Sequence, residues 1–311
     1  MIKPVLKGEA LLKNIHASSK TRGRLSIWWL GQSGFLIQWE GVHLLCDPYL
    51  SDALSEQTAE SDHPLIRMTE LAVEPAELAF IQLVTASDLQ RDHLDPHTLK
   101  TLLDVNPNMD VVIPEAVRAE AAGLLGCDAD RLTGLDDSVS ENVDEVTITG
   151  VSAVGPEDRD GEEGRRRLGF IFEFGPWMIY HSGDIVHSEE LIEQLQAYAI
   201  DVALLPIAGS RPGTGLAETL TAAQAADLAK AIDARLVIPC HYEMFDDDAS
   251  VTEDFARACE RIEQPFRILR CGEPWTDREL EGLSPEEEDE SFDRTGGRAR
   301  SRSGEREPED Y

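Results

Sequence analysis

Cysteine, lysine and long apolar runs are all scarce in this chain, and each shortage removes a class of protein. The five cysteines, at 46, 127, 240, 259 and 271, are odd in number and include no C-x-x-C, so no disulfide framework is indicated. They read as buried thiols of a reducing cytoplasm. No apolar stretch approaches the length needed to cross a bilayer. The opening MIKPVLKGEALLKNI has no apolar signal core, so a cytoplasmic location without membrane attachment is expected. Lysine occurs six times against 22 arginines, and these 28 basic residues face 60 acidic ones for a net charge of −32. Such a surface repels phosphate backbones and anionic headgroups, which excludes nucleic acid and anionic membrane as general electrostatic partners.

What is present suffices for a large fold. A chain of 311 residues with 41% hydrophobic residues buries either one sizeable core or two small ones. The stretch 284–311 holds ten acidic residues and five arginines, net −5, with Phe292 and Tyr311 its only aromatics. So few apolar groups do not offset chain entropy, and a disordered charged tail is expected there. The remaining −27 lies on the preceding residues. An acid-rich, lysine-poor surface stays hydrated in concentrated salt, where long-range repulsion is screened. The expectation is a salt-accumulating cytoplasm, and equal stability in dilute buffer and in molar KCl would contradict it.

Hydrophobic patterning gives the architecture. Residues 25–48, LSIWWLGQSGFLIQWEGVHLLCDP, contain three apolar runs broken at Gly31–Gly34 and at Glu40-Gly41, which predicts three adjacent antiparallel strands. Asp47-Pro48 ends them, and the polar residues 51–75 predict a long excursion. Strand 79–85, helix 96–105, strand 110–113 and helix 115–125 follow as βα units. The second half repeats the plan: strands 143–151, 168–174 and 177–182, helix 188–198, strand 201–205, helix 219–233, strand 235–239, helix 250–262 and a last strand near 266–270. Two such halves, stacked sheet to sheet with helices outside, make an α/β fold of the αββα sandwich type. Residues 1–24 then form an N-terminal extension, 25–283 the single domain, and 284–311 the tail.

Potential metal ligands follow three of these strands: Asp92 and His93, then Asp184, then His241 in IPCHYEMF. Two carboxylates and two imidazoles suit one divalent ion, Zn²⁺ or a harder ion such as Mn²⁺. An ion so held acidifies water toward a pKa of ~7 and polarises a carbonyl or phosphoryl oxygen. The same residues also fit a plainer reading, in which Asp92 and Asp95 form a turn and cap, His93 is solvated, Asp184 caps the next helix, and His241 is a satisfied loop histidine. The glycine-rich loop Gly209–Gly215 with Arg211 fits either a phosphate site or a plain turn. His181 and His187 flank Asp184. Trp28, Trp29, Trp39 and Trp177 read as core, and Arg165 to Arg167 as a solvated charge balance in an acidic loop.

Taken together, WLGQSGFLIQWEG, DPYLSD, DHLDP, GFIFEFGPWMIYHSGD, ALLPI and VIPCHYEMF resemble the metallo-β-lactamase-fold hydrolases over about residues 25–275, most closely the branch with the L-ascorbate-6-phosphate lactonases. The resemblance implies a sandwich with a metal site on its edge that hydrolyses a small anionic ester, lactone or phosphoester. The family's H-x-H-x-D-H motif falls on Asp88-Leu89-Gln90-Arg91-Asp92-His93, and its next histidine on Gly155, so the imidazoles of a first metal are missing. The threonine usual after the glycine-aspartate pair is Ile185. The second-metal set remains as Asp92, His93, Asp184 and His241, with Asp92 and Asp88 the catalytic candidates and Asp88 available as a general base. The alternatives are a non-catalytic ligand-binding or scaffolding descendant, and partnership with an intact paralogue. A small-molecule substrate is the expected partner, and a homo-oligomer is left open.

Overall fold

Three apolar runs joined by two tight turns begin the sandwich. The computed structural model places them as β1 (Ser26–Gly31), β2 (Gly34–Trp39) and β3 (Val42–Cys46), antiparallel, with Trp28 opposite Leu36 and Ile37 opposite Leu44. Glu40 and Gly41 both have positive φ, as the expected two-residue hairpin turn requires. The structure describes residues 1–143, 145–153, 164–210, 217–245 and 250–281. The tail 284–311, Gly155 and the Arg211 end of the glycine-rich loop lie outside the described residues.

From β3 onward the first sheet grows in parallel through β4 (Leu83–Thr85), β5 (Asp110–Pro114) and β6 (Thr133–Leu135). The second sheet repeats this change of sense. Its strands β7 (Ser140–Val143), β8 (Val146–Ser152), β9 (Leu168–Phe174) and β10 (Trp177–His181) are antiparallel, and β11 (Val202–Pro206) and β12 (Leu236–Cys240) then add in parallel. With β13 (Pro274–Thr276) the sheets have seven and six strands. Burial on both faces explains why these strands read as continuous apolar runs rather than alternations: every residue of β11 and β12 is buried.

The helices are α1 (Glu9–Ser18), α2 (Ala53–Thr58), α3 (Pro96–Val105), α4 (Arg118–Leu125), α5 (Glu189–Leu195), α6 (Ala222–Ala231), α7 (Ser250–Arg261) and α8 (Arg278–Glu281). α3 begins where Asp95-Pro96 predicts, because the Asp95 side chain accepts the N–H groups of His97 and Thr98. α6 starts three residues later than the pattern suggests, at a capping box of Thr221 and Gln224. The N-terminal residues carry α1, whose Leu11 and Ile15 are fully buried in the common core.

One strand is misplaced by the sequence pattern. Residues 266–270 alternate like a strand, yet only Phe266 bridges to Val237, and the chain runs on to β13, which closes the first sheet against β1 with Trp275 opposite Ile27. The apolar residue that decides this is Trp275, fully buried; a tryptophan buries more area than the short aliphatic pattern before it.

His43 on β3 is buried at 5% exposure. Its Nε2 lies 2.9 Å from Ser19 Oγ, and its ring meets Phe80 edge-on. Burial is the main cause that holds this imidazole down to about 4. Between that value and the ordinary 6.5 the unfolded chain binds the proton and the folded chain does not. Stability is therefore complete above the window and falls as pH drops through it, by an amount on the order of 3 kcal/mol. In His43→Leu this part of the acid sensitivity should vanish. Urea unfolding near pH 7 and near pH 4.5 measures it, and equal losses in parent and variant would refute the assignment.

Candidate metal centre

The loops that leave β4, β10 and β12 bring Asp92, His93, Asp184 and His241 together. One potential ligand atom from each lies within 4.8 Å of all the others, and all four residues are buried. His93 Nε2 is 3.2 Å from Asp184 Oδ2 and 3.8 Å from Asp92 Oδ2. His241 Nε2 is 3.4 Å from Asp184 Oδ1 and 3.5 Å from Asp92 Oδ2. The plainer reading fails for two of these residues: Ser188, not Asp184, caps α5, and His93 is not solvated but fully buried.

Local geometry accounts for the convergence. Asp184 follows Gly183, whose φ is +58 and where an added Cβ would meet Ser87 Oγ at 2.5 Å, so only glycine lets that turn close onto the β4 loop. His241 has φ 68, and its N–H donates to the Gln32 carbonyl at 3.0 Å. Gln32 itself sits at φ 51 in the turn between β1 and β2. Its Nε2 donates to Asp92 Oδ2 at 3.0 Å and lies 2.8 Å from His241 Nε2, so an unprotonated nitrogen there accepts from it.

Asp47, after β3, takes the other nitrogen of His93. The Asp47 carboxylate accepts from His93 Nδ1 at 2.6 Å, from Ser87 N at 2.8 Å and from Ser87 Oγ at 2.5 Å. A carboxylate on Nδ1 fixes the tautomer and points Nε2 at the cluster. Burial pushes the His93 imidazole down, but Asp184, Asp92 and Asp47 together outweigh it and raise it well above the ordinary value. Burial likewise opposes ionisation of Asp92, and the two histidines with Gln32 overcome it, holding the carboxyl far below its usual range. The pocket is thus built to hold positive charge.

A divalent ion fits the donors present. Asp92 Oδ1, His93 Nε2 and both Asp184 oxygens are buried without hydrogen-bond partners. Such orphaned groups cost about 1–3 kcal/mol each unless something satisfies them, and a mixed carboxylate and imidazole set is what a borderline-hard cation takes.

Asp88 stands apart from this set. It is buried at 4% exposure, and burial, reinforced by Asp184, raises its carboxyl to about 6. Its Oδ1 accepts from Gln90 N, and its Oδ2 lies 3.3 Å from Arg167 Nε. Gln90 turns away, its Oε1 accepting from Ala217 N at 3.3 Å. The basic run departs from the solvated charge balance expected of it at two residues, since Arg165 is buried and Arg167 reaches the buried Asp88, while Arg166 pairs with Glu120 at the surface as expected. His181 is buried too, its Nε2 2.9 Å from the Ser33 carbonyl.

Sequence reasoning passed over Gln32, Asp47, Ser87 and Arg167. A signal existed for two of them, since Gln32 lies in a turn needing positive φ and Asp47 ends a strand. Nothing in spacing points to Ser87 or Arg167.

Residues 26–241 match the family model described as "Beta-lactamase superfamily domain". A "UPF0173 metal-dependent hydrolase" of Methanosarcina mazei is 26% identical over 80% of this chain and 97% of its own length. A "Probable L-ascorbate-6-phosphate lactonase" of Escherichia coli O127:H6 is 22% identical over 76% of this chain and 75% of its own. Among solved structures, the metallo hydrolase Igni18 of Ignicoccus hospitalis superposes with a TM-score of 0.57 at 19% identity, covering 81% of this chain and 98% of that one. Among the described residues no helix is long and apolar enough to cross a membrane.

Proposed function

Because this chain belongs to the β-lactamase superfamily, we propose that it is a metal-dependent hydrolase with one divalent ion, Zn²⁺ or Mn²⁺, held by Asp92, His93, Asp184 and His241. The observation that carries this reading is the buried quartet of ligand atoms within 4.8 Å of one another. When bound, the ion supplies Lewis acidity toward a carbonyl or phosphoryl oxygen and acidifies water. The chain's own residues do the rest. Asp47 orients the His93 imidazole, the Gln32 carbonyl anchors the His241 backbone N–H, and burial of the cluster excludes bulk water and strengthens every charge interaction within it. Asp88, raised to about 6, is matched to accept a proton near neutral pH. The substrate class, a small anionic ester, lactone or phosphoester, rests on the likeness to relatives named as metal-dependent hydrolases and as a lactonase of a sugar-acid phosphate.

A ligand-binding protein without turnover is the second reading. It is favoured by the positions of Asp88 and Gln90, which occupy the first-metal motif and are engaged by Arg167 and Ala217. Elemental analysis of protein purified without chelator, followed by assay against esters, lactones and phosphoesters, decides. Bound metal with chelator-sensitive turnover is the expected outcome. Bound metal with no turnover on any substrate supports the second reading, and no metal at all overturns the assigned centre.

A further inference from the structure

An anionic substrate has to approach a chain of net charge −32 and a buried cluster in which Asp92 and Asp184 stand with the buried Asp47 and Asp88. A fixed cation beside these carboxylates makes that approach more favourable. The structure provides one in Arg167, on the residue just before β9. Its place is set by backbone contacts on both sides: Leu168 N donates to the Ser87 carbonyl at 3.0 Å, and Ala153 N to the Arg167 carbonyl at 3.4 Å. Ser87 is also the residue against which Gly183 packs, so Arg167 and Asp184 flank the same Ser87-Asp88 pair.

We infer that Arg167 is the substrate-binding residue for the oxyanion group, a phosphate or carboxylate, of the molecule hydrolysed at the cluster. This deepens the hydrolase reading and rests on it for the identity of the bound molecule as substrate. The guanidinium uses Nε toward Asp88 Oδ2 at 3.3 Å and remains 35% exposed. Its two terminal nitrogens carry no hydrogen bond or ion pair among the described residues, and they form the edge that matches two oxygens of a phosphate or carboxylate. Asp88, nearly inaccessible itself, holds the group in one orientation, so less side-chain freedom is lost when an anion docks.

The test is calorimetric titration of the full chain with inorganic phosphate and with acetate, in the metal-free and the Zn²⁺-loaded protein, for the parent, Arg167→Gln and Arg167→Lys. Loss of a bidentate, charge-assisted pair should weaken binding of at least one anion roughly 10- to 100-fold in Arg167→Gln. Metal content should stay unchanged, and Arg167→Lys should recover part of the affinity because a lysine keeps the charge but not the fork. Should Arg167→Gln fail to fold, Arg167→Lys against the parent carries the same comparison. Equal anion affinity in parent and variants, or no anion binding by the parent, overturns the inference. The metal-free arm separates this failure from that of the hydrolase reading: a chain that takes up no Zn²⁺ but binds phosphate through Arg167 refutes the metal centre alone.

Discussion

His241→Ala should leave the purified protein without its divalent ion. The imidazole stands against both Asp92 and Asp184, so its loss removes one of four donors. It also leaves Asp92 facing Asp184 with only His93 between them. Losing an outer partner of a metal ligand typically costs 10–100-fold in affinity, and loss of a ligand itself should exceed about 100-fold, with turnover falling in step. Position 241 lies at φ 68, a left-handed conformation that asparagine tolerates better than alanine, so His241→Asn is the companion variant. His187→Ala is the control, since His187 lies close in sequence to Asp184 but outside the cluster. Metal analysis on the three proteins decides, and full metal content in both His241 variants would refute the centre.

The second large effect is expected at Asp47. This residue makes no contact with the proposed ion, yet it is fully buried and takes His93 Nδ1 at 2.6 Å. Asp47→Asn keeps the size of the side chain and accepts the positive φ of 40, so it removes the charge with little disturbance of the backbone. A neutral amide gives a weaker bond to Nδ1 and can present its NH₂ to His93 or Ser87 instead, which frees the ring to turn. Metal affinity should fall 10–100-fold, read by competition with a chromophoric chelator. An unchanged affinity would mean that packing, not the carboxylate, orients His93.

These two positions also mark how far the sequence could be read. The quartet was legible because each member follows an apolar run, and runs of that kind end at a sheet edge. The strands other than β6, β7 and β13 were legible for the same reason, as was the start of α3, fixed by a local Asp-Pro signal. Asp47 was visible only as the end of a strand, since its role depends on a contact 46 residues away in the chain. The partner of Arg167 was not legible because local composition says nothing of the other sheet, and the contact of Leu168 N with the Ser87 carbonyl is what brings Arg167 to Asp88. β13 escaped because three residues carry no period, and its place is decided by the burial of Trp275 against β1.

The ligands are divided between the layers, with Asp92 and His93 on the first sheet and Asp184 and His241 on the second. An ion gripped by all four would act as a rivet through the sandwich, so that neither layer could peel away without releasing it. Resistance to heat would then follow the supply of free metal, gaining about 2.7 kcal/mol when the ion stands at 100 times its dissociation constant. For such a chain, metal starvation and warming become interchangeable stresses.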